Sequence, residues 1–285
     1  MTGGDDMRMK TKQAVSLVLR YLLLAVLAVI LLFPVYWMIV CSLSESHALT
    51  KLPPHFINTD PTFENYLKIV TTPKYLNYFK NSFISAGGTV ILSLLIAVIA
   101  GYGFSRFPIP FKNTILSTIM SVQMFPQVVI LISLFAFYNK LGWVSTYQGL
   151  ILADTTLVMP LSIMLIKSFY DTVPRSLDEA AKIDGAGRMR TMFSVIFPLI
   201  QPGVVAVCIY TFLNAWDDYL MASILMQGTM KTLTVGIAET FLGEFCYDYG
   251  GMMSFAFIGS LPIVIVFVFL QKYMIAGLTA GAVKG

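Results

Sequence analysis

Asp178-Glu179-Ala180-Ala181-Lys182-Ile183-Asp184-Gly185-Ala186 is a polar stretch with helix signals, set between two long apolar runs. It reads as a docking element, not as a membrane span. Pro174 precedes it, and Ser176-Leu177-Asp178-Glu179 has the spacing of a capping box, with Ser176 placed to cap the helix start and Glu179 to reach back. Asp178 and Glu179 suit the positive end of the helix dipole. Ala180 and Ala181 add no bulk, so a partner surface can approach the backbone closely. Gly185 falls where a two-turn helix ends in a left-handed residue, a conformation glycine adopts without a Cβ penalty. Beyond it, Met189, Met192, Phe193 and Ile196 recur at helical spacing. They predict a second helix with one apolar face, leaving Lys182, Arg188 and Arg190 to water or a partner. A merely amphipathic connection is the plainer alternative.

The surroundings of this stretch set its context. Of 285 residues, 57% are hydrophobic and only 12% charged, too much apolar surface for an ordinary soluble domain. Four charge-free runs are long enough to cross a hydrocarbon core: Tyr21 to Val40, Ser82 to Phe104, Thr114 to Tyr138 and Tyr249 to Gln271. Two more carry acids, Val144 to Ile166 with Asp154 and Pro198 to Met226 with Asp217 and Asp218. The fold class expected is an all-α membrane protein with six transmembrane helices and both termini on one side. Basic residues accumulate on cytoplasmic segments. The set Arg8, Lys10, Lys12, Arg20, Arg106, Lys112, Lys167, Arg175, Lys182, Arg188, Arg190, Lys272 and Lys284 holds most of the 19 lysines and arginines, and it places the docking segment and both termini in the cytoplasm. The expected division is an N-terminal cytoplasmic segment at 1–20, a transmembrane domain at 21–276 with its loop at 169–198, and a cytoplasmic tail at 277–285. The net charge of +4 follows from the basic asymmetry and argues for no nucleic-acid partner.

The first apolar run is too long for a cleavable signal peptide, and Val40-Cys41-Ser42 makes a poor cleavage site. It is expected to remain as an anchor. Cys41, Cys208 and Cys246 show no Cys-x-x-Cys spacing; Cys41 and Cys246 share the predicted outer side and are a candidate pair. Ser44 to Lys80 forms the longest outer connection, punctuated by Pro53-Pro54, Pro61 and Pro73, with a short helix expected at Phe63-Glu64-Asn65-Tyr66. It reads either as a receptor for an external partner or as a packed cap.

Pro126, Pro160 and Pro262 fall inside the third, fourth and sixth spans, where lost backbone hydrogen bonds must be restored by protein or a cavity. Ser85, Gly87, Gly88, Thr89 and Ser93 let the second helix approach a neighbour. Intramembrane polar groups cost more to bury and point to a pathway. Gln123 and Gln127 lie one turn apart on the third span, and Asn214, Asp217 and Asp218 on the fifth beside Tyr210, Trp216 and Tyr219. Amides and carboxylates can hydrogen-bond sugar hydroxyls, while aromatic faces cover a pyranose, so Gln123, Gln127, Asn214, Asp217 and Tyr210 are candidate substrate contacts. Interhelical hydrogen bonding is the alternative.

No phosphate-binding Gly-x-x-x-x-Gly-Lys-Ser/Thr loop, His-Glu-x-x-His or Gly-x-Ser-x-Gly occurs. His47 and His55, the two histidines, lack zinc-ligand spacing. No catalytic residue, cofactor or metal is therefore expected.

Extended to Pro202, the opening stretch resembles the cytoplasmic loop of permease subunits of ATP-binding-cassette importers. Glu179-Ala180-Ala181, Gly185 and Pro198 match that family's pattern in register, with Val195 and Phe197 replacing Ile and Leu. The similarity to maltose-type sugar-importer permeases extends over nearly the whole chain, including Asn81-Ser82, Tyr102, Arg106, Gly142, Pro160, Leu233-Thr234-Val235-Gly236, Leu261-Pro262 and the end from Gly277 to Gly285. Asn214 to Leu220 departs from it, with Asp217-Asp218 where Asn-Glu is usual. The resemblance implies a type I importer fold in a bacterial cytoplasmic membrane, with a coupling helix. It also implies a second permease, two ATPase subunits and an extracytoplasmic sugar-binding protein as partners, and a di- or oligosaccharide as substrate. Glu179, Ala180, Ala181, Asp184 and Gly185 are then the residues coupled to the ATPases. Another solute such as glycerol phosphate is the alternative, and an ion-coupled secondary transporter using Asp154 and Asp217 a more distant one, opposed by the absence of an inverted repeat.

Overall fold

The computed structural model describes the backbone of residues 3–45, 49, 56–58, 60–242 and 248–282, and side chains from 16 to 273 within those ranges. His47, His55 and Cys246 lie outside them, and with Cys246 the suggested pairing to the buried Cys41. Among the described residues every regular element is a helix, the one secondary structure that satisfies its own backbone within a single apolar segment. The helices are α1 (Gly3–Ser42), α2 (Glu64–Thr71), α3 (Pro73–Arg106), α4 (Lys112–Ser121), α5 (Gln127–Leu141), α6 (Tyr147–Thr172), α7 (Ser176–Ile183), α8 (Arg188–Trp216), α9 (Leu220–Leu225), α10 (Leu233–Phe241) and α11 (Tyr249–Ala282).

Five stretches are long and apolar enough to cross a membrane: Ser16–Ser42 of α1, α3, α6, α8 and Tyr249–Tyr273 of α11. The third span, where Pro126 predicts a disturbance, is a bent pair. Lys112–Met124 and Gln127–Leu141 meet at 95°, and counting them as one gives six. Pro126 causes the break, because it has no N–H to donate and forces the residue before it out of the helical region; Phe125 is extended at φ −79°, ψ 138°. Pro34, Pro160 and Pro262, by contrast, sit inside continuous helices.

The chain divides into two compact units, Met1–Ile69 with Glu244–Phe257, and Val70–Gly243 with Ile258–Gly285. In the first, α1 presents a long run of exposed leucines, valines and isoleucines, the surface expected to face lipid. The described part of the connection after α1 is tied down on the end of that helix, where Asn58 donates to Leu43 O at 2.7 Å and Asn65 to Ser42 O and Ser44 O at 3.1 Å each, and Ser254 of α11 donates to Ser42 O at 2.9 Å. The short helix expected near Glu64 is α2.

In the second unit α3 packs along α6, and α8 crosses both. Close approach depends on small residues: Ser85, Thr89 and Ser93 are buried, and a Cβ on Gly88 would lie 2.4 Å from Ile151 Cδ1. Tyr102, Ile163, Ile166, Tyr170, Met192, Ile196 and Ile200 form one apolar cluster beside α7, while Leu131, Tyr138, Leu150, Met221, Leu225 and Val235 form another. The expected single apolar face of Met189, Met192, Phe193 and Ile196 is split. Met192 and Ile196 are buried and Met189 and Phe193 exposed, because α8 widens to a π turn over Thr191–Ile196. Pro198 supplies no N–H to the turn before it, and Phe197 N–H reaches back to Met192 O instead.

Candidate functional site: docking helix and polar cavity

The helix α7 starts differently from the expected capping box. Arg175 occupies the N-cap position in helical geometry, and no side chain caps the turn. The chain enters the helix through a continued backbone turn from Pro174, in which Leu177 N bonds Pro174 O and Asp178 N and Glu179 N both bond Arg175 O. Ser176 and Glu179 thus lose the capping role to the backbone. The other end is as expected. Gly185 is left-handed at φ +76°, Ala186 N donates to Ala181 O at 2.9 Å and Gly185 N to Lys182 O at 3.1 Å. That pair of bonds is a Schellman motif, which satisfies carbonyls the helix end would otherwise leave open.

Asp178 faces inward. Its Oδ1 accepts from Tyr102 Oη at 3.1 Å, and its Oδ2 lies 3.1 Å from Arg106 Nε in an ion pair. Arg106 also donates to Val173 O at 2.9 Å, and Arg175 to Ser105 O at 3.3 Å, so the end of α3 grips both the entry and the first turn of α7. Ser105 donates to Asp171, which also pairs with Lys167 at 2.5 Å, fixing the last turn of α6. Sequence reasoning noted Tyr102 and Arg106 without this use. A groove of about 400 Å³ runs beside the grip, lined by Arg106, Arg175, Asp178, Glu179, Lys182 and Arg188 among others. Arg188 lies over the Phe107 ring at 5.0 Å.

Of the predicted coupling residues, Glu179, Ala180, Asp184 and Gly185 are exposed. Ala181 is buried, on a helix that lies against the π turn of α8. Ile183, which the sequence reading passed over, is 86% exposed. A large apolar side chain standing free beside a charged groove is the kind of anchor that carries docking energy.

The polar cavity lies elsewhere in the same unit. Gln123, Gln127, Tyr210 and Asn214 line one space of about 270 Å³ with Val122, Phe125, Ile130 and Leu157. The two glutamines stand on either side of the Pro126 break, not one turn apart on a helix; the bend brings both to the same wall. Asn214 Nδ2 donates to Tyr210 O at 2.8 Å. Asp217 does not line it: the residue ends α8, exposed, with its N–H on Leu213 O. Its neighbour Asp218 turns inward and accepts from Met221 N at 3.2 Å and Ala222 N at 2.8 Å, holding the start of α9. Among the described residues no group of three or more His, Cys, Asp or Glu is gathered as metal ligands would be. The arrangement offers amide and phenol hydrogen bonds to a polar solute.

Comparison with known proteins gives this geometry a family. The chain is 35% identical to the sulfoquinovosyl glycerol transport system permease protein of Agrobacterium fabrum, over 94% of each chain. It is 36% identical to the trehalose/maltose transport system permease protein of Thermococcus litoralis, over 91% of this chain and 94% of that one. Among solved structures, a bacterial ABC transporter involved in the import of the acidic polysaccharide alginate superposes with TM-score 0.77 over 92% of this chain and 97% of its own, at 19% identity, a likeness of fold. The family described as binding-protein-dependent transport system inner membrane component matches residues 90–279. The chain belongs to that family, and is a multi-pass membrane protein of it.

Proposed function

We propose that this protein is a permease subunit of an ATP-driven, binding-protein-dependent sugar importer, forming the pathway with a second permease. Two separate ATPase subunits would dock on α7, and an extracytoplasmic binding protein would deliver a di- or oligosaccharide. The observation that carries the reading is α7 itself: a helix whose outward residues Glu179, Ala180, Ile183 and Asp184 are exposed while Asp178 ties it to the end of α3. Movement of α7 by the ATPases would pass through that tie to α3, which packs on α6 and α8. Relatives named for trehalose/maltose and sulfoquinovosyl glycerol transport support a sugar as cargo.

ATP hydrolysis then belongs to the partners, and this chain supplies path and coupling. Gln123, Gln127, Tyr210 and Asn214 would hydrogen-bond hydroxyls as the sugar passes, and the coupling loop would span residues 169–198. Both termini and α7 would face the cytoplasm, with 1–20 and 277–285 flanking the membrane domain. Reconstitution of this chain with its co-encoded partners in proteoliposomes tests the reading. ATP-dependent uptake of at least one sugar that melts the binding protein at higher temperature is expected, and its absence for every sugar in a broad panel would reject it. Orientation is checked by single cysteines at Asp60 and Arg188, which should label with an impermeant maleimide from opposite sides; labelling of both from outside would refute it.

A further inference from the structure

The groove beside α7 holds more positive charge than the structure pairs. Arg106, Arg175, Lys182 and Arg188 line it with Asp178 and Glu179, an excess of two positive charges around about 400 Å³. Arg106 takes Asp178 as its partner. Arg175 donates to Ser105 O, but Arg175, Lys182 and Arg188 form no ion pair among the described residues. The three come from separate places: Arg175 before α7, Lys182 in its last turn, and Arg188 at the start of α8. Arg188 lies over the ring of Phe107, another lining residue, at 5.0 Å, which sets its guanidinium on the groove wall. Like charges gathered around one recess repel one another, and an anion entering it relieves that cost.

Helical geometry separates this recess from the docking surface. Asp178 and Lys182 are four residues apart and share one flank of α7, whereas Ala180, Ile183 and Asp184 share another. An ATPase seated on Ile183 would meet the second flank, and the cations of the first still need an anion. We propose that the groove binds a phosphate group carrying two negative charges, which ties Arg175, Lys182 and Arg188 together and clamps α7 to the start of α8. Charge and shape pick phosphate over a lone carboxylate. A phosphate monoester carries about −1.5 to −2 near neutral pH, matching the excess. Its three free oxygens can serve several donors at once, where one carboxylate is used up by a single bidentate arginine. The same chemistry comes from solution, as a phosphate compound, or from the membrane, as a phosphate headgroup bound in a basic recess beside the spanning helices. Binding rests on the groove alone; its bearing on transport rests on the coupling reading of α7, in which the ligand stiffens the handle.

The test uses the full chain in nanodiscs of phosphatidylcholine and reads hydrogen exchange of the backbone amides of residues 176–190. Inorganic phosphate and glucose 6-phosphate are the soluble probes, with chloride at equal ionic strength as the reference. At about ten times its dissociation constant, the tighter probe should slow exchange in α7 about tenfold. Adding phosphatidic acid to the nanodiscs distinguishes the sources. Exchange already slowed before a soluble probe is added assigns the headgroup, and exchange slowed only by the soluble probe assigns a free phosphate compound. Lys182→Ala combined with Arg188→Ala changes two exposed side chains and should melt like the wild type. It should bind phosphate at least about tenfold more weakly. Glu179→Gln removes a competing negative charge and should tighten binding roughly threefold, a gain that no folding defect produces. Exchange that no probe slows beyond chloride, equal slowing in the double variant, or no tighter binding in Glu179→Gln would overturn the proposal. So would loss of ATPase from the double variant in a pull-down while wild-type exchange ignores phosphate, since the cations would then serve that partner. No sugar and no uptake enter the exchange measurement, so failure of the importer reading leaves its outcome readable.

Discussion

The docking helix closes its hydrogen bonds between Pro174 and Ala186, with a backbone turn at one end and a Schellman motif at the other, whereas the polar cavity gathers Gln123 and Gln127 across a 95° break and Tyr210 and Asn214 from α8. One site is made by neighbours in sequence, the other by tertiary packing. The first has charged side chains and ion pairs, and a change there alters how a rigid handle is held. The second has amides and a phenol on a shared wall, and a change there alters what the wall offers a solute. If the functional reading holds, variants of the two regions fail in different ways.

The largest effect is expected where the regions' frameworks meet at α3. Arg106→Ala leaves Asp178 and the Val173 carbonyl without their cation, a loss of ~3 kcal/mol for a pair this sheltered. The complex should melt earlier and retain less ATPase in a pull-down, with Arg106→Lys intermediate; a wild-type melt and full retention would show that the grip does not hold α7. Next, Ile183→Asp should weaken ATPase association by ~2 kcal/mol. Its 86% exposure predicts an unchanged melting temperature, and unchanged co-purification would place the docking contact elsewhere. Gly185→Val forces a β-branched residue into φ +76°, a strain of ~1–2 kcal/mol. Insertion should be normal and ATPase hydrolysis poorly stimulated by loaded binding protein; normal stimulation would break the link between the left-handed cap and coupling. The smallest effect belongs to the cavity. Asn214→Leu or Gln123→Leu should lower uptake of the preferred sugar by ~1 kcal/mol in rate terms and shift preference among sugars, and identical preference would make these side chains packing groups.

How much of this could be read from the chain follows the same divide. The apolar runs, the position of α7 and the left-handed Gly185 are local properties, and Asp184-Gly185-Ala186 after a two-turn pattern leaves few other ways to end a helix. The capping box was misread because Ser176 and Glu179 have the right spacing but Pro174 and Arg175 are already turning as a helix. That choice is energetic and left Asp178 for a partner on α3, far away in sequence. The third span looked continuous because apolarity continues through Pro126; proline signalled a disturbance, not its 95° size. Likewise, helical spacing over Met189 to Ile196 assumed 3.6 residues per turn, and a π turn ahead of Pro198 breaks that period. At the cavity, residue chemistry picked four of its polar walls. It chose Asp217, whereas Asp218 is the one that turns inward, since one step along a helix end rotates a side chain from solvent to interior.

On this reading α7 couples and the cavity selects. The most direct test measures, in one reconstituted transporter, the ratio of uptake for two competing sugars together with ATPase stimulation by loaded binding protein, in Gly185→Val and in Asn214→Leu. The prediction is that Gly185→Val lowers stimulation and both uptakes in proportion, leaving the ratio at its wild-type value, while Asn214→Leu changes the ratio and keeps stimulation. A shifted ratio in Gly185→Val, or lost stimulation with an unchanged ratio in Asn214→Leu, would contradict it.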